Sequence, residues 1–430
     1  MTARSTHCRR VMIFGLAAAT LVLAATDRAR AEAQLLIEAS TGKVLHAENA
    51  TYPWYPASVT KLMTAYTTLR AVKEGHISLN TLLPISRNAA AQQPTKMGFK
   101  VGAAVTVDNA LKMLMVKSAN DVAVAIAEGV GGSIAGFADL MNANARRLGM
   151  SQSNFVNPNG LPAENHISSA RDLGILARAL IREFPEYDSY WHISSIRYGN
   201  RVMRNYNSLI DRYPGADGMK TGFICASGYN VVASATRNGR RLIAVILGSW
   251  SGAVRAQKAA QLLERGFNSG GLSWLTPSLG TVDALAPIDA QPPNLREEMC
   301  GGHRRKPPSE ENEEEPDEST TAASGESGNG QAFMLSSLKP ANGKFVLGPP
   351  VETTPPVVVF TGPADHPDPV AQTASAAPKK KKKTAAKAEG AEKSAKGAAA
   401  EKSKKADDAK PAKAAKPAKQ TKPKVTSQTQ

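Results

Sequence analysis

Cysteine is scarce, with three residues in 430. Cys8 lies in a basic N-terminal stretch, so only Cys225 and Cys300 belong to the body of the chain. Two cysteines are too few for a disulfide framework. No Cys/His cluster has metal-site spacing either, so the sequence implies no metal and no cofactor. His76, His166 and His192 stand alone and read as surface or core side chains. Long apolar runs are equally rare. VMIFGLAAATLVLAA, about fifteen residues, is short for a membrane span. It follows Arg4, Arg9 and Arg10 and precedes Ala29-Arg30-Ala31, a small-x-small cleavage site. Residues 1–31 therefore read as a secretory signal, with an uncleaved anchor as the alternative. The chain is expected to cross the inner membrane and work in the periplasm or cell envelope.

The folded body also lacks net charge. Residues 1–31 hold five arginines against one aspartate, and residues 371–430 hold seventeen lysines against five acids. These two ends account for the whole formal charge of +16. The high isoelectric point thus belongs to the termini, and a basic nucleic-acid-binding body is excluded.

What is present divides by period. LLIEASTGKVLHAENA (35–50) reads as two short strands around a Thr-Gly turn. Helical spacing follows over 58–74, over 108–128 with a break near KSAND, over GGSIAGFADLMNANARRLGM, and over 170–184 with Ser168 or Ser169 as cap. From 217 to 250 the pattern is rich in β-formers, with Asn238-Gly239 as a hairpin turn, and 253–266 return to helix. The expected fold class is α/β: an antiparallel sheet completed by the N- and C-terminal parts, flanked by helices, with a helical insert between. Beyond this catalytic-sized domain (32–270) the sequence predicts a Pro-containing linker over 271–301. An acidic then Pro-rich disordered region follows over 302–370, and a disordered Lys/Ala/Pro tail over 371–430.

Chemistry-bearing residues form an ordered trio. Ser58-x-x-Lys61 places a hydroxyl and an amine on one helical face. Serine needs such a base to act as a nucleophile. Alone, the pair is as compatible with a capping serine and a solvated lysine, and a second copy stands at Ser336 to Lys339. Ser118-Ala119-Asn120 follows sixty residues after Ser58, and Lys220-Thr221-Gly222, which occurs once, 102 residues later. By themselves, Ser118 and Asn120 could cap a helix, and Lys220 to Gly222 could be a strand entering a turn. Only Ser58 heads all three motifs in order, the signature of penicillin-interacting serine enzymes.

With the trio come PASVTKLMTAY, KSANDVAVAIAE, NFVNPNGLPAENHISSARDL, NYNSLIDRYPGADGMKTGF and SGYNVVASATRNGRRLIAV. Over roughly residues 33 to 268 the chain resembles the D-alanyl-D-alanine carboxypeptidases, the low-molecular-mass penicillin-binding proteins. The resemblance implies a serine hydrolase that removes the terminal D-alanine from peptidoglycan stem peptides and is acylated by β-lactams. It implies Ser58 as nucleophile, Lys61 as base and Ser118 as proton relay. Asn120, Lys220 and Thr221 would bind substrate, with Gly222 allowing close approach of its backbone. The N–H groups of Ser58 and Phe223 would form an oxyanion hole, and Arg255 would meet the terminal carboxylate. Asn157, Asn159, Gly160, Asn205 and Asn207 read as loop-shaping residues. Cys225 reads as a small buried side chain, with a reactive thiol as alternative.

Many family members carry a β-rich second domain and a terminal amphipathic helix, and neither pattern is visible here. The basic tail is expected either to hold anionic envelope polymers or lipid head groups, or to be a solvated linker. A DD-endopeptidase and a non-catalytic penicillin-binding sensor are the rival readings. A class A β-lactamase would need a Glu-x-x-Leu-Asn string, which the sequence lacks.

Overall fold

The computed structural model describes residues 32–269, 278–302, 347–351 and 354–368. The expected signal segment 1–31, the whole of 303–346 and the tail 371–430 lie outside the described residues.

The chain opens with β1 (Ala33–Glu38) and β2 (Val44–Glu48). A 3-10 turn, Ala57–Thr60, leads into α1 (Lys61–Lys73). Then come β3 (Leu82–Pro84), the short α2 (Arg87–Ala90) and β4 (Ala104–Thr106). The helical insert is α3 (Val107–Val116), α4 (Asn120–Gly131), α5 (Ile134–Arg147) and α6 (Ala170–Glu183). β5 (Ser195–Tyr198) and β6 (Arg201–Arg204) form a hairpin. β7 (Ala216–Ile224), β8 (Gly228–Arg237) and β9 (Arg240–Ser249) follow, and α7 (Gly252–Asn268) closes the main body. Two further elements, α8 (Arg296–Cys300) and β10 (Val357–Val358), come from the C-terminal part.

The main sheet has the order β2-β1-β9-β8-β7 and its pairings are antiparallel, which is the expected α/β architecture. Its central strands are apolar on both faces because both faces are covered. Side chains alternate across a strand. Leu35, Ile37, Ile243, Val245 and Leu247 enter the core shared with the insert, while Leu36, Leu242, Ala244 and Ile246 meet α7. Glycines set both distances: a Cβ at Gly174 of α6 would press on Leu35, and one at Gly266 of α7 on Leu36 and Leu242. The β8–β9 turn is Asn238-Gly239 with φ of 50° and 73°, the two positive values that a type I′ hairpin needs. Helix starts follow side-chain chemistry, as where Ser169 accepts from the Asp172 N–H.

The C-terminal part differs from the expectation in three places. Residues 278–302, read as a linker, are bound to the body: Val44 N–H donates to Gly280 O, Val282 N–H to Gly42 O, and Leu295 N–H to Ala226 O. Cys225, read as a small buried side chain, forms a disulfide with Cys300 across 75 residues. Two cysteines build no framework, but one bridge needs only that their Cα atoms approach, here to 5.7 Å. Within 302–370, read as disordered, β10 pairs in parallel with β5 and Val359 is buried against the core. These segments gain their order from tertiary pairing, which composition and periodicity do not report.

Candidate active site

Ser58 sits on the 3-10 turn before α1, and Lys61 is the first residue of that helix. The turn is tightly confined. Ala57 has a left-handed φ of 50°, costly for a residue with a Cβ. Gly160, itself at φ 80°, packs so closely that a Cβ would lie 1.8 Å from the Ala57 carbonyl oxygen. On the other side a Cβ at Gly222 would lie 2.7 Å from Ser58 N and 2.9 Å from Val59 N. The Ser58 turn is therefore clamped between two glycines. Gly222, expected to make room for substrate, makes room first for the chain's own backbone.

Asn230 fixes the same turn from below. It is fully buried, opposite Gly222 in the β7–β8 register. Its Nδ2 donates to Tyr55 O at 3.0 Å and Pro56 O at 3.3 Å, and its Oδ1 accepts from Gly248 N–H. Trp54 Nε1 donates to Ser227 O nearby.

Two of the motifs meet at the Lys61 amine, and the third reaches the Ser58 turn through Gly222. Lys61 is completely buried. Its Nζ lies 3.0 Å from Ser58 Oγ, 2.8 Å from Asn120 Oδ1 and 2.7 Å from Asn159 O. Asn120 also donates to Gln93 O, and Asn159 Nδ2 to Gln92 Oε1. The loop around residues 92–98 is held by Asp121, whose carboxylate accepts from the Met97 and Gly98 N–H groups. An ammonium can serve all three acceptors around Lys61. A neutral amine can keep the Asn120 and Asn159 bonds and turn its lone pair to the Ser58 hydroxyl.

Ser118 and Thr221 share an unusual state. The hydroxyls of both are buried without a hydrogen-bond partner, and Ser118 has a φ of 57°. Buried polar groups are normally paired, so these two hydroxyls keep hydrogen-bonding capacity that the described residues do not use. Lys220 is buried on β7, which is the edge strand of the sheet, and donates to Thr221 O at 3.1 Å. Phe223 follows on the same strand and stacks on Tyr229 with centroids 4.2 Å apart. Arg255 is buried too. Its guanidinium approaches Asn230 O and Tyr206 O, both at 3.4 Å, and lies over the Tyr229 ring. Lys117, not singled out from sequence, donates to Tyr206 OH at 2.7 Å.

His166 lies behind the pair. Its Nδ1 accepts from Val156 N–H, so Nε2 carries the proton and donates to Thr60 Oγ1 at 2.8 Å. Burial, with the nearby Lys61 charge, pulls its pKa down to about 4, so the ring is neutral near pH 7. Asn157 shapes the loop as expected, accepting from Gly160 N–H and donating to Leu161 O. Asn205 and Asn207 do likewise, with Asn207 Nδ2 on Gly218 O.

The antiparallel sheet, the helical insert and this meeting of Ser-x-x-Lys, Ser-x-Asn and Lys-Thr-Gly are the arrangement of the serine peptidases that react with penicillin. Within that class the chain belongs to the D-alanyl-D-alanine carboxypeptidase family, Peptidase_S11, whose pattern matches residues 20–251. It is 36% identical over 248 residues to the D-alanyl-D-alanine carboxypeptidase DacC of Escherichia coli (strain K12), a stretch covering 55% of this chain and 61% of that protein. The chain thus spans about three fifths of the length of this relative. The crystal structure of the D-alanyl-D-alanine carboxypeptidase DacD from Francisella tularensis superposes with a TM-score of 0.53 at 32% identity, over 55% of this chain and 70% of that one. Penicillin-Binding Protein D2 from Listeria monocytogenes, in its cefotaxime-bound form, gives 0.50 at 28% identity, over 55% and 96%.

Proposed function

We propose that the chain is a serine-type D-Ala-D-Ala carboxypeptidase that trims peptidoglycan stem peptides outside the cytoplasm. The observation that carries this reading is the buried Lys61 amine, 3.0 Å from Ser58 Oγ and oriented by Asn120 and Asn159. Lys61 takes the Ser58 proton as Oγ attacks the carbonyl between the two D-alanines. The Ser58 and Phe223 N–H groups receive the developing oxyanion, each such donor being worth about 3 kcal/mol in the transition state. The C–N bond breaks, Ser118 passes a proton to the leaving amine, and D-alanine departs. Water then hydrolyses the acyl-enzyme by the same route in reverse. Thr221 Oγ1 takes the terminal carboxylate within the positive potential of Lys220, with Arg255 adding charge from behind the strand. Asn120 holds the substrate amide. A β-lactam acylates the same serine.

The Cys225–Cys300 disulfide supports an oxidising compartment, in keeping with the N-terminal secretory pattern. The basic tail would keep the enzyme at anionic envelope polymers or lipid head groups, an attraction that salt weakens.

The test pairs intact-protein mass after incubation with penicillin, on wild type and Ser58→Ala, with D-alanine release from a peptide ending Lys-D-Ala-D-Ala. A slowly lost adduct on wild type alone, together with release, is expected. An adduct without release would point instead to an endopeptidase or a sensor, and rapid penicillin turnover to a β-lactamase.

A further inference from the structure

β7 meets the Ser58 turn in its observed register because of one extra residue near the start of the strand. Ala216 stands opposite Ala235, but Gly218 stands opposite Ser234, so Asp217 has no partner on β8 and forms a bulge. We propose that Asp217 is a positioning residue for the acyl transfer at Ser58. Its carboxylate holds the bulge that sets Lys220, Thr221 and Gly222 in place beside the nucleophile. The proposal rests on the carboxypeptidase reading and adds to it a residue five positions before Gly222, about 17 Å away along the strand.

The pairing shows what the bulge decides. Beyond it β7 runs without interruption, with Thr221 opposite Val231, Gly222 opposite Asn230 and Phe223 opposite Tyr229. Continued from Ala216 without the extra residue, the strand would set Thr221 opposite Asn230 and Gly222 opposite Tyr229. Such a slip also turns each side chain to the other face. The Ser58 turn does not tolerate it. Even a Cβ at position 222 would lie 2.7 Å from Ser58 N, and Asn230, opposite that position, holds the Tyr55 and Pro56 carbonyls. The slipped strand would bring the Thr221 side chain to a place that fits a glycine.

One carboxylate gathers three strands at the bulge. Asp217 is buried. Ser234 Oγ and Thr236 Oγ1 donate to it from β8, and Arg241 Nη2 reaches it from β9 at 3.2 Å. Arg241 Nη2 also approaches Asp217 O at 3.3 Å, so the same guanidinium grips the side chain and the backbone of the bulge. That guanidinium is itself fixed. Its Nη1 donates to Asp188 Oδ1 at 2.7 Å, and Asp188 Oδ2 lies 2.9 Å from His192 Nε2. Asp188 belongs to the 3-10 segment Pro185–Trp191, which also confines the next residue of β7. A Cβ at Gly218 would lie 3.0 Å from Trp191 Cβ, and Gly218 has a φ of 145°, a value that favours glycine. β7 carries two glycines in nine residues, a composition that specifies register weakly. A carboxylate bonded at once to Ser234 and Thr236, two residues apart on one face of β8, fits one register and supplies what the composition lacks.

The experiment measures two rates well below each protein's unfolding midpoint. They are the acylation rate at saturating penicillin and kcat/KM for D-alanine release from a peptide ending Lys-D-Ala-D-Ala. The variants are Asp217→Ala, Asp217→Asn and Thr236→Val. Arg240→Gln is the control, because Arg240 adjoins Arg241 but bonds to Glu38 on β1 and to Gly266 O on α7. Thermal unfolding puts the stability losses of all the proteins on one scale. Asp217→Ala should lower both rates about 100-fold, the effect of misplacing an oxyanion donor. Asp217→Asn should lower them only about tenfold, the loss of one bond to a charged group. Its amide keeps the shape and one acceptor, and Thr236 can turn its hydroxyl to accept. Thr236→Val should slow acylation measurably, and Arg240→Gln should lose stability at wild-type rates. Wild-type rates in folded Asp217→Ala overturn the proposal, as do slowed rates that Arg240→Gln reproduces at equal loss of stability. If Asp217→Ala does not fold, the same outcomes are read on Asp217→Asn and Thr236→Val, with the carboxypeptidase reading left standing. A wild type that is neither acylated nor releases D-alanine overturns that reading and this proposal with it.

Discussion

A Cβ at position 222 would have to displace either the Ser58 or the Val59 nitrogen, 2.7 and 2.9 Å away. Gly222→Ala should therefore lower the penicillin acylation rate by about 100-fold, the effect of misplacing an oxyanion donor. Stopped-flow acylation alongside thermal unfolding would separate this from loss of fold. His166 acts differently. Its folded-state pKa is about 4, below the unfolded value, so the unfolded chain binds the extra proton first as pH falls. Stability is then lost as pH drops from about 6.5 toward 4, by about 3 kcal/mol in all. Urea unfolding at pH 7 and pH 4.5 should show a smaller drop for His166→Gln than for wild type. At this scale the residues singled out by type, Ser58, Lys61, Ser118, Asn120, Lys220 and Thr221, are the ones whose side chains carry the proposed chemistry. The sequence hid those that act through backbone. Asn159 meets Lys61 with its carbonyl oxygen, a group every residue carries, so no side-chain pattern could announce it.

Among elements, β8 and β9 were legible because ten-residue strands show their composition and Asn238-Gly239 marks the turn. The three- and four-residue strands β3 to β6 were not, since so short a run has no measurable period. The 3-10 turn that carries Ser58 was read as the start of the helix itself, a difference of three residues at a boundary that neither capping nor composition marks. Asn230 stands among Tyr229, Val231, Val232 and Ala233 in the buried part of β8, a position that β-propensity disfavours for asparagine and that asks for a reason. The reason is its grip on the Tyr55 and Pro56 carbonyls and on Gly248 N–H. Asn230→Ala would leave these buried groups unpaired. It should cost about 2–4 kcal/mol of stability and slow acylation in the molecules that remain folded, measured by urea titration and by active-site titration with penicillin.

For the whole molecule, sequence reading drew the boundary of the folded body too early. Residues 271–301 are rich in Pro and carry no helical or strand period, yet the described part from 278 onward is fastened at β2, at Gln152 through Ile288 O, and at Cys225. Fastening of that kind depends on which distant atoms come together, and a linear pattern contains no record of it. The bridge closes a loop of about 75 residues, for which chain-entropy reasoning gives up to about 4 kcal/mol. A Cys225→Ser, Cys300→Ser double variant should unfold at correspondingly lower urea, and reductant should do the same to wild type while leaving the variant unmoved.

The bridge also sets a clock. The chain is made N-terminus first, and β8, β9 and α7 all lie between the two cysteines. Cys225 and the nucleophile are therefore finished well before Cys300 exists. At about 5–20 residues per second the interval is several seconds. In that time the segment that the bridge fastens to the end of β7 is still missing. Closure of the bridge is thus a late event in the life of each molecule, and one that depends on an oxidant meeting the chain after its central strands have been made.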